Sequence, residues 1–183
     1  MPDSAKIRWR LYMGKLEIEI AELIWKYQAR TGKLLTIGTA ESATGGRIAD
    51  KLTNTPGSSD YFKGCLVAYS NEVKSNVLGV KKETIENYGA VSQQTAIEMA
   101  EGGKRLLDVD ICVSTTGIAG PSGGISEKPV GLFHIGLATK DNNLSQKYVF
   151  HGSREENKRD AAEAALTILR QHLLQYINTQ QGI

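Results

Sequence analysis

From Leu16 onward apolar side chains recur at Leu16, Ile18, Ile20, Leu23, Ile24 and Tyr27. That spacing predicts a helix burying one face and stopped by Gly32. The short β-branched run from Leu34 to Ala40 reads as a buried strand. A helix is expected from Thr44 to Leu52, ended by the turn residues Asn54, Pro56 and Gly57. Tyr61–Tyr69 reads as a second strand, followed by short helices at Asn71–Leu78 and Lys82–Tyr88, closed by Gly79 and Gly89. Ser92 is placed to cap a helix over Gln93–Leu107. Ile111–Thr115 is a buried strand entering a glycine-rich stretch, Gly117–Gly124. Val130–Thr139 and Ser145–His151 suggest an antiparallel hairpin turning at Lys140–Asn143. Ser153 and Glu156 have capping-box spacing and open a long last helix.

Strands that alternate with helices and end in a hairpin predict an α/β fold of three layers, α/β/α, with a mixed central sheet in a single domain. The expected organisation is an N-terminal extension with a helix over residues 1–30, then one domain over 31–178. Residues 1–13 are basic without a clean period, and no element is assigned to them.

Composition narrows the class. The 183 residues carry 22 Lys+Arg against 20 Asp+Glu, a net charge of +2 with the two signs interspersed. Nothing there forms the basic stripe of a nucleic-acid surface, so no nucleic-acid partner is expected. No apolar run reaches the ~18 residues of a membrane helix, and the N-terminus has no apolar signal core. The expectation is a protein of the cytoplasm with no membrane partner. Cys65 and Cys112 lie far apart in apolar runs and read as buried thiols, not as a disulfide framework.

Three segments have compositions that packing alone does not explain. The first, Thr39–Gly46 (TAESATGG), joins the end of a buried strand to a helix, where open α/β sheets bind ligands. There Ser42 is either an exposed nucleophile or, with Thr44, a helix cap. Free amides around Gly45 and Gly46 would face a developing oxyanion. The second, Tyr69–Lys74 (YSNEVK), repeats the strand-to-helix arrangement. If its strand neighbours the first, Lys74 comes beside Ser42 and can serve as a base once burial lowers its pKa; otherwise Lys74 is a solvated helix lysine and Ser70 a cap. The third, Ser114–Gly124 (STTGIAGPSGG), holds four glycines and four hydroxyls in eleven residues, a composition suited to ribose or phosphate. It matches neither the P-loop nor the dinucleotide fingerprint. Its plain alternative is a long surface turn. His134, His151 and His172 lack partners at ligand spacing, so no metal site is expected. Arg154, Lys158 and Arg159 open the last helix, where they either reach a phosphate or form a solvated face, and Arg154 is the one kept as a site residue.

Taken in order, TAESATGG (39–46), GSSDYF (57–62), YSNEVK (69–74), GAVS (89–92), TGIAGPSGG (116–124) and EKPVG (127–131) resemble the CinA C-terminal domain family, also called PncC, the nicotinamide-mononucleotide deamidases. The resemblance runs from about Leu35 to Leu174. It implies hydrolysis of the carboxamide of nicotinamide mononucleotide to nicotinic acid mononucleotide and ammonia, with no metal or organic cofactor. The family's serine nucleophile and lysine base fall on Ser42 and Lys74, and its tyrosine on Tyr69. Substrate-binding positions are expected at Thr44, Gly45 and Gly46, at Thr116, Gly117, Ala119 and Gly120 of the glycine-rich loop, and at Arg154. One departure stands out: the family's Glu-Ser-Cys-Thr-Gly-Gly has Ala43 in place of cysteine. The implied partner is a small nucleotide substrate, and a homo-oligomer is the expected assembly. The rival readings are a nucleotide-binding module without catalysis and an amidase for another nucleotide-like amide. Ammonia release separates the first, and a panel of amides with and without phosphate the second.

Overall fold

The computed structural model describes residues 16–179. Five strands form one sheet: β1 (Ile37–Glu41), β2 (Phe62–Val67), β3 (Ile111–Gly117), β4 (Leu132–Ala138) and β5 (Asn143–Val149), in the order β2-β1-β3-β4-β5. β1 pairs in parallel with both β2 and β3, whereas β3–β4 and β4–β5 are antiparallel, so the sheet is mixed. Among the described residues six α-helices flank it: α1 (Leu16–Thr31), α2 (Arg47–Thr53), α3 (Asn71–Asn76), α4 (Lys82–Tyr88), α5 (Gln93–Leu107) and α6 (Arg154–Thr179).

The two-residue side-chain period of the strands sorts them onto two cores. Ile37, Ile111, Val113, Ile135 and Leu137 face α1, α2 and α6, where they meet Ile20, Ile24, Ile48, Leu166 and Leu169. Ala40 and Cys112 point the other way, onto Met99 of α5 and the Leu78–Val80 connection. On this side small residues let α5 approach closely. A Cβ on Gly102 would stand 1.9 Å from the carbonyl oxygen of Leu78, and one on Gly103 2.7 Å from Cys112 Sγ.

The caps read from the sequence at Ser92 and Ser153 are formed. Ser92 Oγ accepts from the Thr95 amide at 3.2 Å. The Ser153 amide donates to Glu156 Oε2 at 2.8 Å. The helix expected from Thr44 begins later, at Arg47, because Gly45 and Gly46 take φ of 65° and 94°, left-handed values that interrupt helical continuity. α1 packs into the main core: Trp25 lies edge-on to Tyr61 with ring centroids 6.1 Å apart, and Arg30 Nη2 donates to the Ile177 carbonyl at 3.0 Å.

From β1 the chain moves outward to β2, and from β3 it moves the opposite way to β4. The carboxyl ends of β1 and β3 therefore border the crevice at which the connections diverge, the place where open α/β sheets hold ligands. Among the described residues no helix is long and apolar enough to cross a membrane.

Candidate active site

Ser42 is the first residue beyond β1, and its amide donates to the Thr115 carbonyl of β3 at 2.9 Å. The β1–β2 pairing continues past the strands, with the Ala68 amide on the Glu41 carbonyl at 2.8 Å. That pairing brings the start of α3 alongside Ser42. Ser70 caps α3 by accepting from the Val73 amide at 3.2 Å, which sets Lys74 one turn into the helix on its inner side. The ammonium end of Lys74 crosses to Ser42, with Nζ 3.0 Å from Oγ.

Lys74 is only 2% exposed and has no carboxylate within ion-pair reach among the described residues. Among the described residues its other hydrogen-bond partners are the carbonyls of Ala68 at 3.0 Å and Tyr69 at 3.2 Å, to both of which Nζ donates. Burial pulls its pKa below the ordinary lysine value, since a low-dielectric site disfavours the charged form. A neutral amine has two hydrogens and one lone pair. With both hydrogens on the carbonyls, the lone pair is left for the Ser42 hydroxyl hydrogen. The arrangement can therefore deprotonate an alcohol that is itself 7% exposed.

Ser42 and Lys74 open into a cavity of about 270 Å³ whose wall also includes Ala43, Tyr69, Thr116, Gly117, Ala119, Gly120 and Arg154. Arg154 braces the mouth, donating from Nη1 to the Gly120 carbonyl at 2.7 Å and from Nη2 to the Tyr69 hydroxyl at 2.9 Å. The Tyr69 phenol thus stands at the rim, 60% exposed, and the Tyr69 group that meets Lys74 is the main-chain carbonyl.

Several expected site residues are placed elsewhere. Thr44, Gly45 and Gly46 do not line the cavity. The Thr44 hydroxyl is buried against that of Thr115 at 2.6 Å. The amides of Gly45 and Gly46 do not face an oxyanion: the first donates to the Ser42 carbonyl at 3.1 Å, the second to Glu41 Oε2 at 2.8 Å. Neither Ser42 nor Thr44 caps α2. Glu41 does so, taking the Ala49 amide at 2.9 Å and the Ile48 amide at 3.3 Å as well. Thr116 keeps its place on the wall, but its hydroxyl is tied to the Ala90 carbonyl at 2.6 Å.

Two buried residues that the sequence did not single out organise the site. Glu41 is one. Asn157 is the other: its Nδ2 donates to the Ala119 carbonyl at 3.0 Å and its Oδ1 accepts from the Gly152 amide at 2.9 Å, locking the loop to the start of α6. The acid at 41 lies inside a quoted motif and was legible as a residue. Its role depends on a turn that the linear order does not show. No three His, Cys, Asp or Glu side chains gather as a metal cluster among the described residues.

The sheet order and the cavity define a three-layer α/β/α protein with a buried serine–lysine pair at its topological switch point. The family model described as the CinA C-terminal domain matches residues 19–173, and the chain belongs to that family. It is 51% identical over 139 residues to the "CinA-like protein" of Endomicrobium trichonymphae, covering 76% of this chain and 32% of that protein. It is 48% identical over 161 residues to the "putative competence-damage inducible protein" of Halothermothrix orenii, covering 87% and 38%. The chain thus spans about a third of the length of these curated relatives. Among solved structures, the competence/damage inducible protein CihA of Agrobacterium tumefaciens matches at 36% identity with a TM-score of 0.78, over 90% of this chain and 96% of that one. A CinA superfamily protein from Klebsiella pneumoniae matches at 30% identity and 0.80, over 87% and 96%.

Proposed function

We propose that this chain is an amidohydrolase that converts nicotinamide mononucleotide to nicotinic acid mononucleotide and ammonia through an acyl-Ser42 intermediate. One observation carries the reading: an almost fully buried lysine amine stands 3.0 Å from a serine hydroxyl, with carbonyls as its other hydrogen-bond partners among the described residues. Neutral Lys74 takes the Ser42 proton as Oγ attacks the carboxamide carbon. The Ala43 amide donates to no protein acceptor among the described residues and belongs to a residue of the cavity wall, which makes it the donor for the developing oxyanion. Protonated Lys74 returns its proton to the departing nitrogen, and ammonia leaves. A water then attacks the acyl carbon, giving its proton to Lys74, which passes it to the departing Ser42 oxygen as the acid product forms, restoring the neutral amine and the hydroxyl. Arg154 and the loop from Thr116 to Gly123 hold the ribose phosphate, so that binding energy remote from the amide orients it toward Ser42.

The test is ammonia release from nicotinamide mononucleotide, run beside the phosphate-free nucleoside and a simple nicotinamide. The expected result is turnover of the mononucleotide, a large loss of kcat/KM without the phosphate, and a fall on the order of 10³–10⁶-fold in Ser42→Ala. Ammonia release that survives intact in Ser42→Ala removes the acyl-serine route. Turnover of simple amides at equal efficiency removes the nucleotide as substrate.

A further inference from the structure

We infer that Glu41, buried beneath the Ser42 turn, is a positioning residue for the nucleophile. The inference rests on Ser42 being that nucleophile, and the labelling part of its test does not require the substrate to be known. Glu41 closes β1 with no exposed surface, its side chain on the α2 side of the sheet. Oε2 accepts from the amides of Gly46 at 2.8 Å and Ile48 at 3.3 Å, and Oε1 from the Ala49 amide at 2.9 Å. Oε1 is also met by the Thr39 hydroxyl at 3.3 Å and Cys65 Sγ at 3.6 Å. One carboxylate therefore ties the first turn of α2 to β1 and β2.

The chain between those fixed points is the turn that carries Ser42. Its start is held by the Ser42 amide on Thr115 and its end by Gly46 on Glu41, with Gly45 closing back on the Ser42 carbonyl between them. With both ends held, Ser42 cannot shift away from Lys74 unless the carboxylate releases α2. The same clamp decides which amides stay available. It removes Gly46, Ile48 and Ala49 from any ligand, while Ala43, adjacent to the nucleophile, donates to no protein group among the described residues. A charged acceptor suits three helix amides far better than an amide side chain does, because it offers two oxygens and complements the helix dipole.

The experiment compares wild type, Glu41→Gln, Glu41→Asp and the core variant Ile48→Val, which lowers stability without touching the clamp. The readouts are kcat, KM and the rate at which a fluorophosphonate labels Ser42, all well below each variant's Tm. Glutamine keeps one acceptor oxygen but turns an NH2 toward an N–H donor. The expected result is a fall of at least tenfold in labelling rate and kcat for Glu41→Gln, with KM within about twofold. Glu41→Asp should recover part of the loss, and Ile48→Val should lower Tm with labelling unchanged. Labelling of Glu41→Gln at the wild-type rate, with only Tm lowered, reduces Glu41 to a stabilising cap and overturns the inference. A wild type that is labelled but releases no ammonia from the mononucleotide removes the proposed substrate and leaves the Glu41 comparison valid. A wild type that is neither labelled nor active removes the nucleophile, and Glu41's positioning role falls with it.

Discussion

At Lys74 a single proton links activity to stability. Burial lowers the pKa of its amine below the ordinary value, so the folded chain releases the proton at a pH where the unfolded chain still holds it. Between the lowered folded value and about 10.4, the unfolded state binds more protons, and stability rises with pH across that window. Above about 10.4 both states are neutral and the slope vanishes. Lys74→Met should flatten the rise, which a series of denaturant midpoints against pH can measure. The same deprotonation should produce the acid limb of kcat/KM, rising as Lys74 loses its proton, and Lys74→Met should lower kcat by about 10²–10⁴-fold, the usual share of a general base. An unchanged acid limb in Lys74→Met would assign that titration to another group. The pairing itself was legible: a serine after one strand and a lysine one turn beyond the next strand meet once those strands are neighbours. Glu41 and Asn157 were not legible, because each acts on backbone groups that come within reach only after the turn and the loop have closed.

Among the elements, order and type followed from periodicity because turn residues separate the runs and each long helix has one apolar side. The errors lie where a polar side chain overrides local preference. α2 starts three residues late because two left-handed glycines and the Glu41 carboxylate replace the side-chain cap that Ser42 or Thr44 would provide. β2 is shorter than its apolar run: Tyr61 lies before the strand and carries the Ile37 amide on its carbonyl, while the Tyr69 carbonyl beyond it turns to Lys74. α5 holds an opposite lesson. Alanine in place of a helix glycine ordinarily gains about 1 kcal/mol. At Gly102 the new methyl would meet the Leu78 carbonyl, main chain with no free end to move aside. Gly102→Ala should therefore destabilise, by about 1–3 kcal/mol as overpacked sites do, and a lowered Tm checks the sign. A raised Tm would mean that α5 can slide away from the α3–α4 connection at little cost.

For the molecule as a whole, the question is whether the first helix is an attachment or part of the fold. Sequence pattern divides the chain near residue 30, since the motifs that carry the family resemblance begin only at Thr39. The packing gives a different physical picture. Ile20, Ala21 and Ile24 are completely buried and Tyr27 nearly so, in the same cluster as the α6 residues that cover the sheet. The seam is fixed by an ion pair between Glu19 and Arg170, the Arg30 bond to the end of α6, and the tilted contact of Tyr27 with Tyr176 at 5.6 Å. Burying each large apolar side chain is worth about 1.5–3 kcal/mol. Ile20, Ile24 and Tyr27 together are therefore comparable to the lower part of the roughly 5–15 kcal/mol by which a domain is stable at all. A chain beginning at Gly32 should lose its cooperative unfolding transition and bind a hydrophobic dye at neutral pH, because Leu166, Leu169 and Leu173 would have water where α1 lay. Adding the α1 peptide in trans should restore part of the transition if the loss is one of cover and not of chain entropy. If instead the shortened chain unfolds cooperatively within about 2 kcal/mol of the full one, the α1–α6 seam contributes little, and the core over residues 31–178 closes without it. That same variant also separates site from scaffold: Ser42, Lys74 and Glu41 lie at the far end of the strands from the α1–α6 tie at Arg30, so a shortened chain that still folds should keep its rate of Ser42 labelling.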